Sequence, residues 1–327
     1  MPDITKCANI VEAMKALEPN HLLATCLERE GAAVKHTRYT AVQMPDGRIG
    51  AMSLPGNLAF YRGENRIYNS CTASLFRIEK REEKVLSLLK TYDFLLFLNT
   101  LPEVRFYIEN NYYFDPWALA QHYEFATPMI DLTNELAVAA FFATHYYDRV
   151  SKQFMLMEKG RGQIRCCCML PDPDGCLRPI GLQPFARPGK QDGYGYWIPE
   201  NEDFTTHSFR IEFEQDLKVN RRLEEAMLGG ADYYFPNEMI SRMAEIIKNT
   251  NAVTSMAIDA MVKDIADGNS YLMPVVTRDE IESVIDEKHI FVVDAPVICP
   301  EAMPPQFHAF RQERTILTRP AYTKGCL

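Results

Sequence analysis

Apolar residues recur at helical spacing in several parts of the chain. In residues 79–99, Val85, Leu88 and Leu89 fall on one face, which predicts a long amphipathic helix. A second helix is predicted after Asp115, which has the side chain of an N-cap, because Pro116 suits the first helical position. The same spacing predicts further helices at residues 1–30, 217–228 and 236–249.

Residues 135–148 differ from these helices because they are apolar on nearly every face. Such a helix has no side that favours water, so we expect it to be deeply buried. Ala137, Ala140, Phe141 and Ala143 are the positions that we expect to lose almost all contact with solvent.

Strand patterns are shorter and are scattered between the helices. Phe209, Ile211 and Phe213 alternate with charged residues, which predicts a half-buried strand with Glu212 and Glu214 on its solvent face. Other strands are predicted at residues 58–62, 126–132, 164–170 and 290–293, and a hairpin at 35–56 with its turn at 44–48. Because helices and strands mix without a regular β-α-β order, the expected fold is α+β, a single mixed domain with a small central sheet flanked by helices.

The composition excludes some classes of protein and favours others. The 327 residues are 47% hydrophobic and 24% charged, as in ordinary globular domains, and the net charge of −9 argues against a generally basic nucleic-acid surface. No apolar run approaches the length of a membrane helix, and the first residues do not resemble a secretory leader, so no membrane association and a cytoplasmic location are expected. The nine cysteines lack the spacing of a zinc site or a disulfide framework, so free thiols and no metal are expected.

Arg62 is the first candidate for chemistry, because it lies at the end of a short apolar strand. A guanidinium is always charged and presents a planar fork of donors, which suits a phosphate or a carboxylate. Gly63, which follows, would let a ligand approach the backbone. The alternative is a buried structural salt bridge from Arg62 to Asp131 or Glu64.

Three other polar residues interrupt apolar surroundings. His122 lies near the end of a helix, where it would orient a ribose hydroxyl, act as a proton shuttle, or cap the last carbonyls of the helix. Asp131 precedes the buried helix and would pair with Arg62, cap that helix, or do both. Gln191 lies in the glycine-rich residues 189–195, where its amide would bind a ribose unless the segment is a surface turn.

Four blocks of sequence, taken in order, resemble the FRG family. The blocks are Phe60-Tyr61-Arg62-Gly63-Glu64 with Ala73 to Arg77, Leu119 to Tyr123 with Thr127 to Thr133, Arg187-Pro188 with Gln191, and Tyr234 to Glu238. They imply an FRG-like domain at residues 51–250, with a helical N-terminal extension at 1–50 and a C-terminal extension at 251–327 packed on the domain. The chain departs from the family pattern at Glu64, Glu124, Pro128 and Leu132, where the family usually has Gln, Gly, Arg and Trp.

The strand around Arg62 is also similar to the first motif of arginine-type ADP-ribosyltransferases. This distant similarity implies a transferase-like fold and NAD as substrate, with Arg62 on the phosphates and His122 and Gln191 near the nicotinamide ribose. It implies a cofactor site that also includes Tyr61, Gly63, Thr127, Asp131, Thr133 and Tyr194. Glu212 and Glu214 compete with Gln191 for the third motif of those enzymes.

Two hypotheses follow for function. One is an NAD-dependent ADP-ribosyltransferase-like enzyme, a toxin or defence effector of bacterial or phage origin, acting on a protein or nucleic acid. The other is a module that binds a nucleotide or another anion in the Arg62 pocket without turnover, which the lack of an unambiguous catalytic glutamate favours.

Overall fold

The computed structural model describes residues 4–17, 39–43, 47–53, 59–168, 176–180, 184–226, 230–268, 276–295 and 316–317. Its strands are β1 (Ile4–Cys7), β2 (Tyr39–Gln43), β3 (Ile49–Ser53), β4 (Ala59–Glu64), β5 (Met129–Thr133), β6 (His145–Asp148), β7 (Gln153–Leu156), β8 (Arg161–Cys168), β9 (Leu177–Pro179), β10 (Gly193–Trp197), β11 (Phe209–Glu214), β12 (Ala252–Thr254), β13 (Phe291–Val293) and β14 (Ile316–Leu317). Its helices are α1 (Ile10–Leu17), α2 (Arg81–Leu98), α3 (Pro102–Glu109), α4 (Pro116–His122), α5 (Leu136–Thr144), α6 (Ala186–Lys190), α7 (Leu217–Ala226), α8 (Gly230–Tyr234), α9 (Met239–Asn249), α10 (Ser255–Ala266) and α11 (Arg278–Glu287). Short 3-10 helices lie at Ser74–Arg77 and Phe204–Thr206.

A mixed central sheet organises the fold, with strand order β1-β11-β8-β4-β5-β10-β9. β1 is parallel to β11, and the other neighbouring strands are antiparallel. Helices flank the sheet, so the architecture is α+β, as the sequence predicted. β2 and β3 form an antiparallel hairpin within the predicted residues 35–56.

The helix α5 packs against the centre of the sheet. Ala140, Phe141 and Ala143 are fully buried as predicted, whereas Ala137 is only partly buried. Gly63 faces this helix, because a Cβ added there would lie 1.7 Å from the carbonyl oxygen of Ala139. The glycine is therefore explained by close helix–sheet packing on this face and not by access for a ligand.

A second core joins the C-terminal helices to the long helix α2. Val85, Leu88 and Leu89 pack there with Ile258 of α10 and Ile281 of α11, and all five are buried. The helix predicted at 79–99 is confirmed, and its predicted apolar positions are buried. Residues 88–94 are buried without interruption, however, so this part of the helix is enclosed on all sides and the prediction of an amphipathic helix was wrong there. The sequence patterns did not single out α10 and α11.

Several predicted element boundaries were wrong. Residues 4–7 form the edge strand β1 of the sheet instead of a helix, and residues 18–30 lie outside the described part of the chain. The helix predicted at 135–148 ends at Thr144, and a strand follows it. The ending has a local cause, because the Thr144 hydroxyl donates to the Ala140 carbonyl at 2.8 Å and the His145 ring lies 2.9 Å from the Phe141 carbonyl.

Candidate functional site

Arg62 lies where the central sheet opens between β4 and β5. A single residue pair, Tyr61 with Thr133, joins these two strands in the described sheet. Nη1 of Arg62 donates to the backbone carbonyl of Asp131 at 3.0 Å, and Nε donates to Oε1 of Glu64 at 3.3 Å. The side chain is 21% exposed. Its guanidinium therefore bridges the opening and still reaches solvent.

The structural salt bridge considered for Arg62 is present in part. The partner is Glu64, while Asp131 contributes its backbone carbonyl and not its carboxylate. Burial opposes the positive charge on Arg62, but the electrostatic attraction of Cys71, Glu64 and Asp131 more than offsets this, so the pKa of Arg62 is raised. The fork is held by two contacts, and the described residues offer no hydrogen-bond partner to Nη2.

Two rows of polar residues cross three neighbouring strands beside Arg62. One row holds Arg210, Arg165 and Arg62, and the next holds Glu212, Gln163 and Glu64. Glu64 links the rows, because its Oε2 accepts from Nε of Arg165 at 2.9 Å while its Oε1 accepts from Arg62. The orientation of Arg62 thus depends on a carboxylate that a second, fully buried arginine holds in place.

Glu212 corrects a prediction made from the alternation of β11. It is 4% exposed and forms ion pairs with Arg161 and with Arg210, the latter at 3.0 Å, so it does not lie on a solvent face. Glu214 is exposed as predicted, with 63% of its side chain accessible. The alternation failed because a layer of charged residues, instead of water, covers this part of the sheet.

Arg77 brings a second positive charge to the opening. It ends the 3-10 helix Ser74–Arg77 and is exposed. Partial desolvation and then the positive charge of Arg62 lower the pKa of Arg77. Glu64 and Asp131 act on it in the opposite direction. The repulsion between the two guanidinium groups makes this edge of the opening favourable for an anion.

The C-terminal end of α4 presents the next polar residues, and a Schellman motif fixes its path. The N–H of Glu124 donates to Gln121 at 3.0 Å and the N–H of Phe125 donates to Ala120 at 3.0 Å. Glu124 has a φ of +67°, in the left-handed region that favours glycine. The family's usual glycine at this position is thereby explained, and Glu124 adopts the same backbone at a cost.

Gln121, beside His122 on α4, ties the helix to Asp131. Its Nε2 donates to Oδ2 of Asp131 at 2.9 Å, and its Oε1 accepts from the hydroxyls of Ser74 and Thr127. Gln121 therefore holds one carboxylate oxygen of Asp131, Oδ2, in place. Thr127 is fully buried in this network, so it supports the site without facing the opening.

His122 does not cap its helix. Its Nδ1 lies 3.1 Å from Oε1 of Gln191, and its backbone carbonyl accepts from Nη1 of Arg187 at 2.6 Å. Burial is the main cause that lowers the pKa of His122, and the attraction of Asp131 opposes it. The lowered pKa favours the neutral form of the imidazole. Gly193 leaves room for the ring, since a Cβ there would lie 2.8 Å from Nε2.

Gln191 lies at the end of α6 and is 5% exposed, so it is not in a surface turn. Its Nε2 donates to the carbonyl of Tyr234 at 3.0 Å, its Oε1 contacts His122, and its own carbonyl accepts from the Thr133 hydroxyl at 2.9 Å. The residue orients others and does not face the opening with its amide. Thr133 also accepts from the N–H of Glu135 at 3.1 Å, so this threonine, and not Asp131, contacts the start of α5.

The predicted residues Arg62, Asp131, His122 and Gln191 thus lie next to one another, although no hydrogen bond joins Asp131 to His122. Nε2 of His122 and Oδ1 of Asp131 are 3.9 Å apart, and neither has a hydrogen-bond partner among the described residues. Tyr61 and Tyr194, also predicted for the cofactor site, are 1% exposed and belong to the hydrophobic cores.

Sequence reasoning missed two residues of the site. Gln121 and Arg77 both lie inside the blocks that resemble the FRG family, so their position in those blocks was the available indication. Their roles depend on partners in other elements of the fold, such as Asp131 for Gln121 and Arg62 for Arg77. The described residues contain no cluster of three or more potential metal ligands and no helix long and apolar enough to cross a membrane.

Comparison with known proteins gives one result. The model of the FRG domain matches residues 57–152, which supports the FRG family for this segment. No curated protein matches the chain, and no solved structure does. The matched segment includes Arg62, Arg77, His122 and Asp131, whereas Gln191 lies beyond it.

Proposed function

We propose that the opening between β4 and β5 binds a nucleotide, with the phosphate groups on Arg62 and Arg77. The observation that carries this proposal is the position of Arg62. Its guanidinium is held at the mouth of the opening by Glu64 and by the Asp131 carbonyl, and it remains 21% exposed. A charged fork that is held in place in this way suits a phosphate oxygen.

Charge balance supports an anionic ligand. Glu64 is shared between Arg62 and Arg165, so it neutralises neither completely. Arg77 has no hydrogen bond or ion pair with the described residues. An anion between Arg62 and Arg77 would offset their mutual repulsion. The similarity of Tyr61-Arg62-Gly63 to the ADP-ribosyltransferase motif makes NAD the first nucleotide to test.

Calorimetric titration with NAD, ADP-ribose and inorganic pyrophosphate tests the proposal. All three should bind, because all three carry the pyrophosphate group. Arg77→Gln should weaken each of them, and the effect should shrink at high salt because the contact is partly exposed. Arg278→Gln removes an exposed arginine that is paired with Asp259, and it serves as the matched control. If none of these ligands binds, the proposal is refuted.

A second candidate function is transfer of ADP-ribose from NAD. The observation that favours it is the geometry of His122, whose Nε2 lies 3.9 Å from the Asp131 carboxylate without a hydrogen-bond partner among the described residues. In such a reaction the bond between ribose and nicotinamide breaks and nicotinamide leaves. The acceptor attacks the ribose carbon, and its proton passes to His122 as the general base.

The positions of Gln191 and Glu212 do not favour them as the catalytic groups. The Gln191 amide is used by His122 and Tyr234, and Glu212 is paired with two arginines. An assay of nicotinamide release separates the two functions. In an enzyme, His122→Asn should lose turnover while NAD still binds. If the wild type binds NAD but releases no nicotinamide, the binding function stands and the transferase function is refuted.

A further inference from the structure

We propose that Cys166 and Cys168 form a redox-active dithiol, which a hydroperoxide converts reversibly into a disulfide. Cys168 is the residue that the oxidant attacks, and Cys166 is the residue that closes the disulfide. This site lies outside the opening between β4 and β5, and it does not depend on the function proposed there.

The two side chains share one face of β8. Neighbouring residues on a strand point to opposite faces, so Cys166 and Cys168 point the same way and Cys167 points the other way. The packing agrees, because Cys166 belongs to the hydrophobic core with Ile164, whereas Cys167 belongs to the core with Phe60. A side-chain hydrogen bond joins the thiols of Cys166 and Cys168, so the two sulfur atoms are already neighbours.

The two thiols differ in their access to solvent. Cys168 is exposed at the end of β8, so a small oxidant in solution can reach it. Cys166 is 3% exposed, and burial is the main cause that raises its pKa. The thiolate is the form of cysteine that reacts with peroxides, and burial disfavours this form at Cys166. Oxidation should therefore begin at Cys168.

The reaction takes two steps. The Cys168 thiolate attacks one oxygen of the hydroperoxide, so that an S–O bond forms, the O–O bond breaks, and the departing oxygen takes a proton and leaves as water or as an alcohol. The product is a sulfenic acid. The Cys166 sulfur then attacks the Cys168 sulfur, so that an S–S bond forms, the S–O bond breaks, and the leaving hydroxide takes the Cys166 proton as water.

The electrons balance, because each sulfur atom loses one electron and the hydroperoxide gains both. Cys166 reacts despite its raised pKa, since the two sulfur atoms are held together and the second step needs no encounter.

The disulfide requires a small change in the strand. Two residues apart on a strand, the Cα atoms are separated by about 6.7 Å, whereas a disulfide usually spans about 5.5–6 Å and at most about 6.8 Å. Cys168 can move, because it is the last residue of β8 and pairs only with Ala59 in the described sheet. Cys166 is held on both sides, by Tyr61 and Phe209. A strained disulfide at an exposed strand end is easily reduced, which suits a reversible modification.

The other described cysteines are poorly placed to pair with Cys168. Cys176 is exposed, but it directly precedes β9, and the strands β4, β5 and β10 separate β9 from β8 in the sheet. At about 4.8 Å for each step between strands, β8 and β9 are about 19 Å apart. Cys7 lies on β1, two steps from β8, and Cys71 lies in the core on the other face of the sheet.

A count of free thiols by mass spectrometry tests the proposal. The protein is treated with increasing hydrogen peroxide, unfolded and alkylated with N-ethylmaleimide, and the intact mass of the monomeric chain is measured. The reduced chain takes up nine maleimide groups, one for each cysteine, and the oxidised chain should take up two fewer. Dithiothreitol should restore both. An unchanged count, or a loss that dithiothreitol does not reverse, would overturn the proposal.

Three variants assign the two thiols. Cys168→Ser should lose no maleimide group on oxidation, and Cys166→Ala should stop at the sulfenic acid of Cys168, which dimedone traps as an adduct that the wild type does not accumulate. Cys176→Ser, which removes another exposed thiol, is the matched control and should lose two groups as the wild type does.

A loss of two groups in Cys168→Ser or in Cys166→Ala, or no loss in Cys176→Ser, would assign a different pair of cysteines and overturn the proposal. Cys168→Ser changes an exposed position, so it gives a decision even if Cys166→Ala does not fold.

Discussion

Glu124 offers a direct test of how the helix end that carries His122 is built. The residue has a φ of +67°, and the left-handed region costs a residue with a Cβ about 1–2 kcal/mol. Glycine avoids this cost but loses about 0.4–1 kcal/mol through the greater freedom of the unfolded chain. Glu124 also lies 3.6 Å from Lys248, an exposed pair worth about 0–1 kcal/mol.

The comparison of Glu124→Gly with Glu124→Ala isolates the backbone effect. Both variants lose the pair with Lys248, but only glycine relieves the strain, so the glycine variant should be more stable by about 0.5–1 kcal/mol. With an unfolding entropy of about 2.1 cal/mol/K per residue over 327 residues, 1 kcal/mol moves Tm by about 1.5 °C. Denaturant titration of both variants measures the difference in the free energy of unfolding. An alanine variant as stable as the glycine variant would refute the strain.

Two further predictions concern stability. Phe141→Ala should lower the free energy of unfolding by about 3–5 kcal/mol, because the ring is fully buried and stacks on His145 at 4.2 Å. Phe142→Ala, at a partly buried position, should cost less. Similar denaturation midpoints for the two variants would contradict this. Because the pKa of His122 is lowered in the folded state, the unfolded chain binds a proton at a higher pH than the folded chain does. The free energy of unfolding therefore decreases as pH falls below about 6.5. Stability measured at pH 7.5 and pH 5.5 should therefore fall more for the wild type than for His122→Asn, and equal falls would show that the buried imidazole is not the cause.

The sequence predicted those parts of the fold that depend on local pattern. The face of α2 with Val85 and Leu88 and the cap of α4 at Asp115, whose carboxylate accepts from the Ala118 N–H at 3.0 Å, follow from spacing and from single residues. A surface turn was considered for residues 189–195, yet β10, which begins at Gly193, is buried between β5 and β9. Its glycines were misleading because they make room for His122 and Met129 and do not mark a loop.

The sequence indicated four of the residues that lie together beside β4 and β5, but it did not indicate their roles. Polar residues in apolar segments indicated Arg62, His122, Asp131 and Gln191, and these four residues are neighbours in the structure. Which atom of each residue faces the opening depends on partners distant in sequence, such as the Tyr234 carbonyl for Gln191. One-dimensional pattern carries no information on such contacts. The same limitation explains why Glu212 was placed on the wrong face.

The affinity of Arg62→Lys for ADP-ribose, compared with the wild type and with Arg278→Lys at the same salt concentration, tests the central claim most directly. Lysine keeps the charge but replaces the planar fork by a single ammonium. It therefore cannot hold Glu64 and the Asp131 carbonyl and also bind a phosphate, as we propose for Arg62. We predict that binding weakens by about 1.5–3 kcal/mol, ten- to a hundredfold, while Arg278→Lys changes it by less than about twofold. An Arg62→Lys variant that folds and binds ADP-ribose as tightly as the wild type would contradict the proposal that Arg62 holds the phosphate.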